Sequence, residues 1–252
     1  MRRLAFIGVT TGSSSIMRIW PRWREVLGLG ADVELVGRDI AVGAPPEAYR
    51  QALRELIGDA GAVGALVTTH KIGVYHAGRD LLAGVDELAE LCGEVSCLAR
   101  RDGRLYGWAK DPVAAGRTLE RLRGILERVD HDSTVELAEA DRHEQQLEEL
   151  PPTSLVVNAT GMGKDVEGSP LRDAARFPEQ SVVWELNYRG ELDFLHQARA
   201  QAEERRLTVE DGWIYFINGW SAVTEEVFQR PISEEDLRVL AAEAEFARPE
   251  GG

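Results

Sequence analysis

The opening stretch, up to Lys71, repeats one pattern, and that repetition restricts the fold more than anything else in the chain. A short apolar run from Leu4 to Val9 gives way to a polar loop, Thr10-Thr11-Gly12-Ser13-Ser14-Ser15, and then to Ile16–Leu27, where apolar and aromatic residues recur at helical spacing. Pro21 inside that segment predicts a kink or a delayed start. Val33 to Val36 reads as a second strand, Pro45-Pro46-Glu47 opens a second helix running to about Ile57, and Gly64 to Thr68 reads as a third strand. Strand, helix, strand, helix, strand demands crossover connections, and those produce a parallel sheet. The expected class is α/β: a parallel-rich mixed sheet with helices on both faces.

The third run closes on Val67-Thr68-Thr69-His70-Lys71. Ligands of open α/β folds gather at the carboxyl ends of strands, so Lys71 is delivered where chemistry is usually done. Helical stretches are expected around Val74–Leu82 and Val85–Cys92. Val95–Ala99 and Arg104–Trp108, separated by Arg101-Asp102-Gly103, then read as a hairpin with an Asp-Gly turn, placed as an antiparallel edge on the sheet. The hairpin ends at Lys110-Asp111-Pro112, with Asp111 as N-cap and Pro112 as the first residue of a helix running towards Leu126.

Beyond it the pattern predicts a strand at Thr134–Leu137, a polar helix through Glu149, strands at Leu155–Val157 and Ser181–Leu186, a helix over Leu192–Arg206 and a short strand at Thr208–Val209. Trp213–Phe228 reads as an apolar helix, Ser233-Glu234-Glu235-Asp236 opens a last amphipathic helix, and Arg248–Gly252 is expected to fray. Two domains follow: residues 1–110 completed by helices over 213–247, and a reduced domain over 111–212.

A hydrophobic content of 44% over 252 residues supplies cores for two ordinary domains. The charge balance, 29 basic against 43 acidic residues for a net −14, disfavours a broad nucleic-acid or anionic-membrane surface and points to small-molecule partners. Cys92 and Cys97 are too few for a disulfide framework, which suggests a reducing, cytoplasmic setting. The five histidines are scattered without metal-ligand spacing, so no metal site is expected. No apolar run approaches membrane-spanning length, and the apolar start resembles a signal peptide only briefly. Oligomeric state is not encoded in any feature of the pattern.

Taken in order, Ala65-Leu66-Val67-Thr68-Thr69-His70-Lys71, Gly93-Glu94-Val95-Ser96-Cys97, Ala109-Lys110-Asp111-Pro112 and Asn158-Ala159-Thr160 resemble motifs of the shikimate/quinate dehydrogenase family. The family patterns are Asn-Val-Thr-x-Pro-His-Lys, Gly-Ala-Val-Asn-Thr, Asn-Thr-Asp-Gly and Asn-Ala-Thr. The resemblance implies an oxidoreductase of aromatic amino acid biosynthesis or quinate metabolism that moves hydride between NADP (or NAD) and a cyclic hydroxy acid, with a Rossmann-like cofactor domain. It assigns Lys71 and Asp111 as the catalytic pair, Ser14, Ser96 and Asn218 to the substrate, and the loop Asn158, Ala159, Thr160, Gly161, Met162 to the nicotinamide end of the cofactor. The residues make chemical sense unaided, because oxidising an alcohol needs a group that takes the hydroxyl proton as hydride leaves. The bland alternative is a lysine in a surface ion pair.

Several positions depart from the family. Ala65, Val67 and Ala109 stand where the family carries polar residues, and Ser96 replaces an asparagine. Of the two serines expected for the substrate carboxylate, Ser14 matches the first and Ile16 falls on the second, leaving Ser13 or Ser15 as substitutes. Methyl groups in place of polar ones predict a pocket that prefers a less hydroxylated ligand.

The glycine-rich turn that cradles a pyrophosphate is not found after Asp111. Gly28-Leu29-Gly30 follows a helix, and Gly161-Met162-Gly163 follows a strand but is too short for the fingerprint. The interval from Asp111 to Asn158 is also short, since one βαβ unit alone takes roughly 30 or more residues. Either the second domain is built differently or the sequence as given omits a segment of it, and for the chain as it stands weak or absent NADP binding is expected. A non-catalytic small-molecule sensor on the same fold is the alternative reading, and a domain with a vestigial site is the third.

Overall fold

The computed structural model describes residues 1–114, 142–164 and 166–249. The chain divides into two compact units, Met1–Arg117 with Ile217–Ala247, and Thr118–Phe216 with Arg248–Gly252.

The first unit is organised on a six-stranded sheet. Strand β1 (Arg2–Gly8) lies between β2 (Val33–Asp39) and β3 (Ala62–Val67), and all three run parallel, as the alternation of strands and helices requires. The crossovers are α1 (Ile16–Val26) and α2 (Pro46–Gly58). Pro21 lies inside α1 without delaying its start at Ile16. The indole N–H groups of Trp20 and Trp23 donate to the carbonyls of Val33 and Leu240, at 3.2 and 2.9 Å, which fastens α1 to β2 and to the last long helix of the chain.

After β3 the chain turns straight into α3 (Lys71–Gly78), a start three residues earlier than the apolar spacing suggested. It continues through the two-residue strand β4 (Gly84–Val85) and α4 (Glu87–Cys92) to the hairpin β5 (Cys97–Arg101) and β6 (Arg104–Trp108). Asp102 and Gly103, both with positive φ (49° and 74°), make the turn that Asp-Gly promised.

The hairpin is not an edge, contrary to expectation. The order is β2-β1-β3-β5-β6-β4, with β5 antiparallel to β3 and β4 closing the sheet beside β6. Gly64 permits this insertion, because a Cβ there would lie 2.2 Å from the Leu98 carbonyl oxygen. The interior position brings the end of β6 to the same end of the sheet as the end of β3, one strand away.

The second unit contains α5 (His143–Glu149), β7 (Leu155–Asn158), β8 (Val182–Glu185), α6 (Asp193–Arg205) and β9 (Thr208–Glu210). Among the described residues its sheet is β7-β8-β9, all parallel. Phe177 and Phe194 meet edge to face at 5.5 Å, and with Val183, Ala198 and Leu147 they form its core. The expected strand at Thr134–Leu137, the helix towards Leu126 and the stretch where a glycine turn was sought fall outside the described residues.

The last helices are α7 (Trp213–Phe228) and α8 (Glu234–Ala244), the latter started by a capping box between Ser233 and Asp236. Leu240, the acceptor for Trp23, lies on α8.

Candidate active site

Lys71 and Asp111 are each the first helical residue after a strand. His70 occupies the N-cap of α3, with Lys71 following it. Asp111 opens the helical turn over residues 111–114, whose first bond runs from the Ala114 N–H to the Lys110 carbonyl at 2.9 Å. Lys110 is therefore the capping position, and Asp111 and Pro112 lie one step deeper than the sequence suggested. The strands β3 and β6 run in the same direction, with β5 between them. Both side chains thus emerge at the same end of the sheet, and the Lys71 ammonium pairs directly with the Asp111 carboxylate. The two side chains are 25% and 28% exposed, so the pair is sheltered yet open to a ligand. A helix start carries partial positive charge, which disfavours an ammonium there and favours a carboxylate. Asp111 offsets that penalty for Lys71.

Both backbones are held from several sides. The Lys71 N–H donates to Thr68 and its carbonyl accepts from Val95, each at 3.2 Å. His70 is buried, with Nε2 2.8 Å from the Ile40 carbonyl and Nδ1 3.4 Å from the Tyr49 hydroxyl. A carbonyl only accepts, so Nε2 carries the proton. His70 is therefore a strut between β3, α2 and the end of β2. On the other side, the Ser96 hydroxyl accepts from the Lys110 N–H at 2.7 Å. Asp86 Oδ1 accepts from Ala109 at 3.1 Å while also capping α4 through Ala89 at 2.9 Å. These two side chains fix the residues that deliver Asp111.

The remaining candidates occupy separate elements. Ser14 is buried at the head of α1, where its N–H donates to Thr11 and its carbonyl accepts from Met17. Its proposed substitutes are engaged elsewhere: Ser13 Oγ donates to Thr10 and Ser15 Oγ to Ala247, both at 2.9 Å. Asn218 is buried on α7, next to Ile217. Ala65, Val67 and Ala109 were expected to line a ligand pocket. Instead they are buried in the apolar cluster with Val95, Leu98 and Leu105, because short aliphatic side chains at these strand ends pack inward.

Sequence reasoning passed over Glu94. It follows Gly93, the left-handed C-cap of α4 (φ 63°), and precedes the residue that holds the Lys71 carbonyl. One carboxylate oxygen is buried and has no hydrogen-bond partner among the described residues. Burial raises its pKa above the ordinary value, the charge of Asp111 raises it further, and Lys71 opposes both. The signal was available, since a glutamate stands where the family motif has alanine.

In the second unit, the loop after β7 is built on Asn158, which is buried. Its Oδ1 accepts from the Thr160 N–H at 3.1 Å and the Thr160 hydroxyl at 2.7 Å, and its Nδ2 donates to Glu185 at 2.5 Å. Asn158 therefore shapes the loop from within. Ala159 and Thr160 are exposed, and Gly161 takes φ 77°, with open space where a Cβ would be. The Met162 N–H donates to Thr160 Oγ1 at 3.2 Å. Gly163 serves packing, since a Cβ would come 3.1 Å from the Leu192 backbone. A tight polar loop at the carboxyl end of a parallel strand lies where open α/β sheets gather their ligands. Among the described residues no cluster of acidic, histidine or cysteine side chains is placed to hold a metal ion.

These features define a two-unit α/β protein with a paired lysine and aspartate at the strand ends of one unit and a polar loop at a strand end of the other. The same α/β fold is found in solved shikimate dehydrogenases. Shikimate dehydrogenase 1 from Peptoclostridium difficile aligns over 98% of each chain with a TM-score of 0.76 and 17% identity. Shikimate 5-dehydrogenase from Thermus thermophilus, solved with NADP(H) and shikimate, aligns over 97% of this chain and all of its own, with a TM-score of 0.67 and 18% identity. In sequence, the NADP-dependent shikimate dehydrogenase of Streptococcus thermophilus is 33% identical over 99 residues. That stretch is 37% of this chain and 32% of that enzyme, so the sequence match spans about a third of the curated relative. No model of a known protein family matches the chain. Among the described residues no helix is long and apolar enough to cross a membrane.

Proposed function

We propose that the chain is an oxidoreductase of the shikimate dehydrogenase type, oxidising one hydroxyl of a cyclic hydroxy acid with NADP or NAD as hydride acceptor. The observation that carries this reading is the direct pairing of Lys71 with Asp111 at the strand ends of the first unit. A bound nicotinamide supplies the hydride acceptor. The chain's own residues handle the proton: Lys71, once its ammonium has released a proton to water, takes the hydroxyl proton as the carbon loses hydride, and Asp111 orients the resulting ammonium. In the reverse direction the Lys71 ammonium returns the proton to the nascent alkoxide. Ser96 and Asp86 keep Asp111 in reach by holding Lys110 and Ala109. Ser14 and Asn218 are the proposed polar contacts to the rest of the acid, and Ala159, Thr160, Gly161 and Met162 the border of the nicotinamide.

Turnover of shikimate or quinate with either dinucleotide tests the reading. Lys71→Ala is expected to lower kcat/KM by about 10²–10⁴-fold, the range of general acid–base groups, while leaving stability nearly unchanged because the pair is partly exposed. Absence of turnover for every pairing of acid and cofactor overturns it. The missing glycine fingerprint favours one other reading, a small-molecule sensor on the same fold. Saturable binding of shikimate or quinate by a protein that gives no change in nicotinamide fluorescence on titration with NADPH would support it.

A further inference from the structure

The site contains one ionisable group that the proposed chemistry does not use. Glu94 follows the C-cap of α4, where its N–H donates back to the Ala89 carbonyl at 3.3 Å, and the next N–H, of Val95, holds the Lys71 carbonyl. Its backbone is thus tied within one residue of the anchor of Lys71. Its Oε1 is buried and has no partner among the described residues, although the residue as a whole is half-buried, and a carboxylate oxygen without a partner is costly to bury. The ionisable groups acting on it are Asp111 and Lys71, and His76 borders the preceding glycine, with Nε2 3.9 Å from where a Gly93 Cβ would lie. His76 is itself exposed on α3.

We propose that Glu94 is a positioning residue for the Lys71–Asp111 pair: its carboxylate is a third charge beside the pair, so its ionisation tunes how readily the pair exchanges a proton with a ligand hydroxyl. Two carboxylates compete for a single ammonium. When Glu94 is ionised, its charge opposes that of Asp111 and draws on Lys71; when it is protonated, Lys71 is left to Asp111 alone. No bond to substrate is required, and the effect is transmitted through charge. As a statement about catalysis this rests on the dehydrogenase reading; as a statement about charge it stands without it.

The experiment follows the Glu94 carboxyl carbon by NMR across a pH titration of the full chain, with Glu94→Gln identifying the signal. Glu94 is expected to titrate above the ordinary glutamate range. Its midpoint should fall in Asp111→Asn and rise in Lys71→Met, each by about half to one pH unit, the scale of one nearby charge in protein. Identical Glu94 titration in all three proteins overturns the proposal. Glu94→Ala provides a second charge-removing variant should Glu94→Gln fold poorly. In turnover assays both are expected to displace a limb of the kcat/KM–pH profile, which a purely structural role would leave in place. Coupled titration without turnover would leave the proposal standing and sink the dehydrogenase reading. Turnover with an unmoved profile in both variants would overturn the proposal alone.

Discussion

The two units each place polar groups at the carboxyl end of a parallel strand, but they hold them in opposite ways. In the first unit the paired Lys71 and Asp111 side chains are partly exposed and the supports are distributed: His70 under Lys71, Ser96 and Asp86 beside Asp111, each a separate contact from a different element. In the second unit one carboxylate does most of the holding. Glu185 is fully buried and accepts from Asn187 N–H and Nδ2 at 2.7 and 2.6 Å and from Asn158 Nδ2 at 2.5 Å. A distributed support tolerates the loss of a member, whereas a single buried hub does not.

Glu185→Gln tests that contrast most severely. The amide keeps one acceptor for Asn187 but turns an N–H₂ group towards the Asn158 donor. Asn158 cannot flip to suit it without losing both bonds from Thr160. An unsatisfied buried donor costs about 1–3 kcal/mol, so urea unfolding should show a loss of that size. Asp111→Asn in the first unit should cost less than about 1 kcal/mol, because partly exposed ion pairs contribute little. Equal losses would erase the distinction.

Glu185 also has a pH signature. Burial raises its pKa from the ordinary 4.5, against the hydrogen bonds that lower it. The folded state then holds the proton more tightly than the unfolded chain. Stability contributed by this group is lost as pH rises from 4.5 through the folded value. Glu185→Gln should remove that decline from the pH dependence of the urea midpoint, and a decline that persists would show that another group causes it.

How much of this was legible in the sequence follows from the same contrast. The first unit could be read because its signals are local: apolar runs of strand length, an Asp-Gly turn, a lysine at a strand end and an aspartate at a hairpin end. The position of that hairpin inside the sheet was not legible, since it depends on Gly64 admitting Leu98 and on β4 pairing outside β6, both long-range events. Ala65, Val67 and Ala109 were misread as pocket-facing because a motif position says nothing about which way a short side chain packs. Glu94 was visible as a charge in an apolar context, yet its neighbours come from distant segments. Glu185 sits in an apolar strand, and only the fold shows that Asn158 and Asn187 satisfy it.

A smaller effect is expected where the first unit's supports overlap. Asp86 caps α4 and also receives the Ala109 N–H. Asp86→Ala should cost about 1 kcal/mol through the lost cap, and in an active enzyme it should lower kcat more than it raises KM, because Asp111 is less well held while the ligand contacts remain. Ser96 still binds Lys110, so activity should fall by less than in Lys71→Ala. A loss as deep as that of Lys71→Ala would mean that Asp86 alone positions the aspartate and that the support is not distributed.

The smallest effect concerns charge at the far end of the first unit, where Asp59 pairs with Arg3 and accepts from the Gly61 N–H at 2.9 Å. These bonds lower its pKa from 3.8 to about 2. The sign is opposite to that of Glu185: the unfolded chain takes up the proton first, so the contribution is fully present above pH 3.8 and is lost as pH falls towards 2. Solvent exposure of both side chains keeps it small. Between about pH 2 and 5 the urea midpoint of the wild type should therefore rise more steeply with pH than that of Asp59→Asn. The two proteins should run parallel above about pH 5, where Asp59 is ionised in both states. Parallel curves throughout would show that Arg3 and Asp59 are joined in the structure without contributing to acid stability, leaving the buried hub of the second unit as the stronger source of pH dependence.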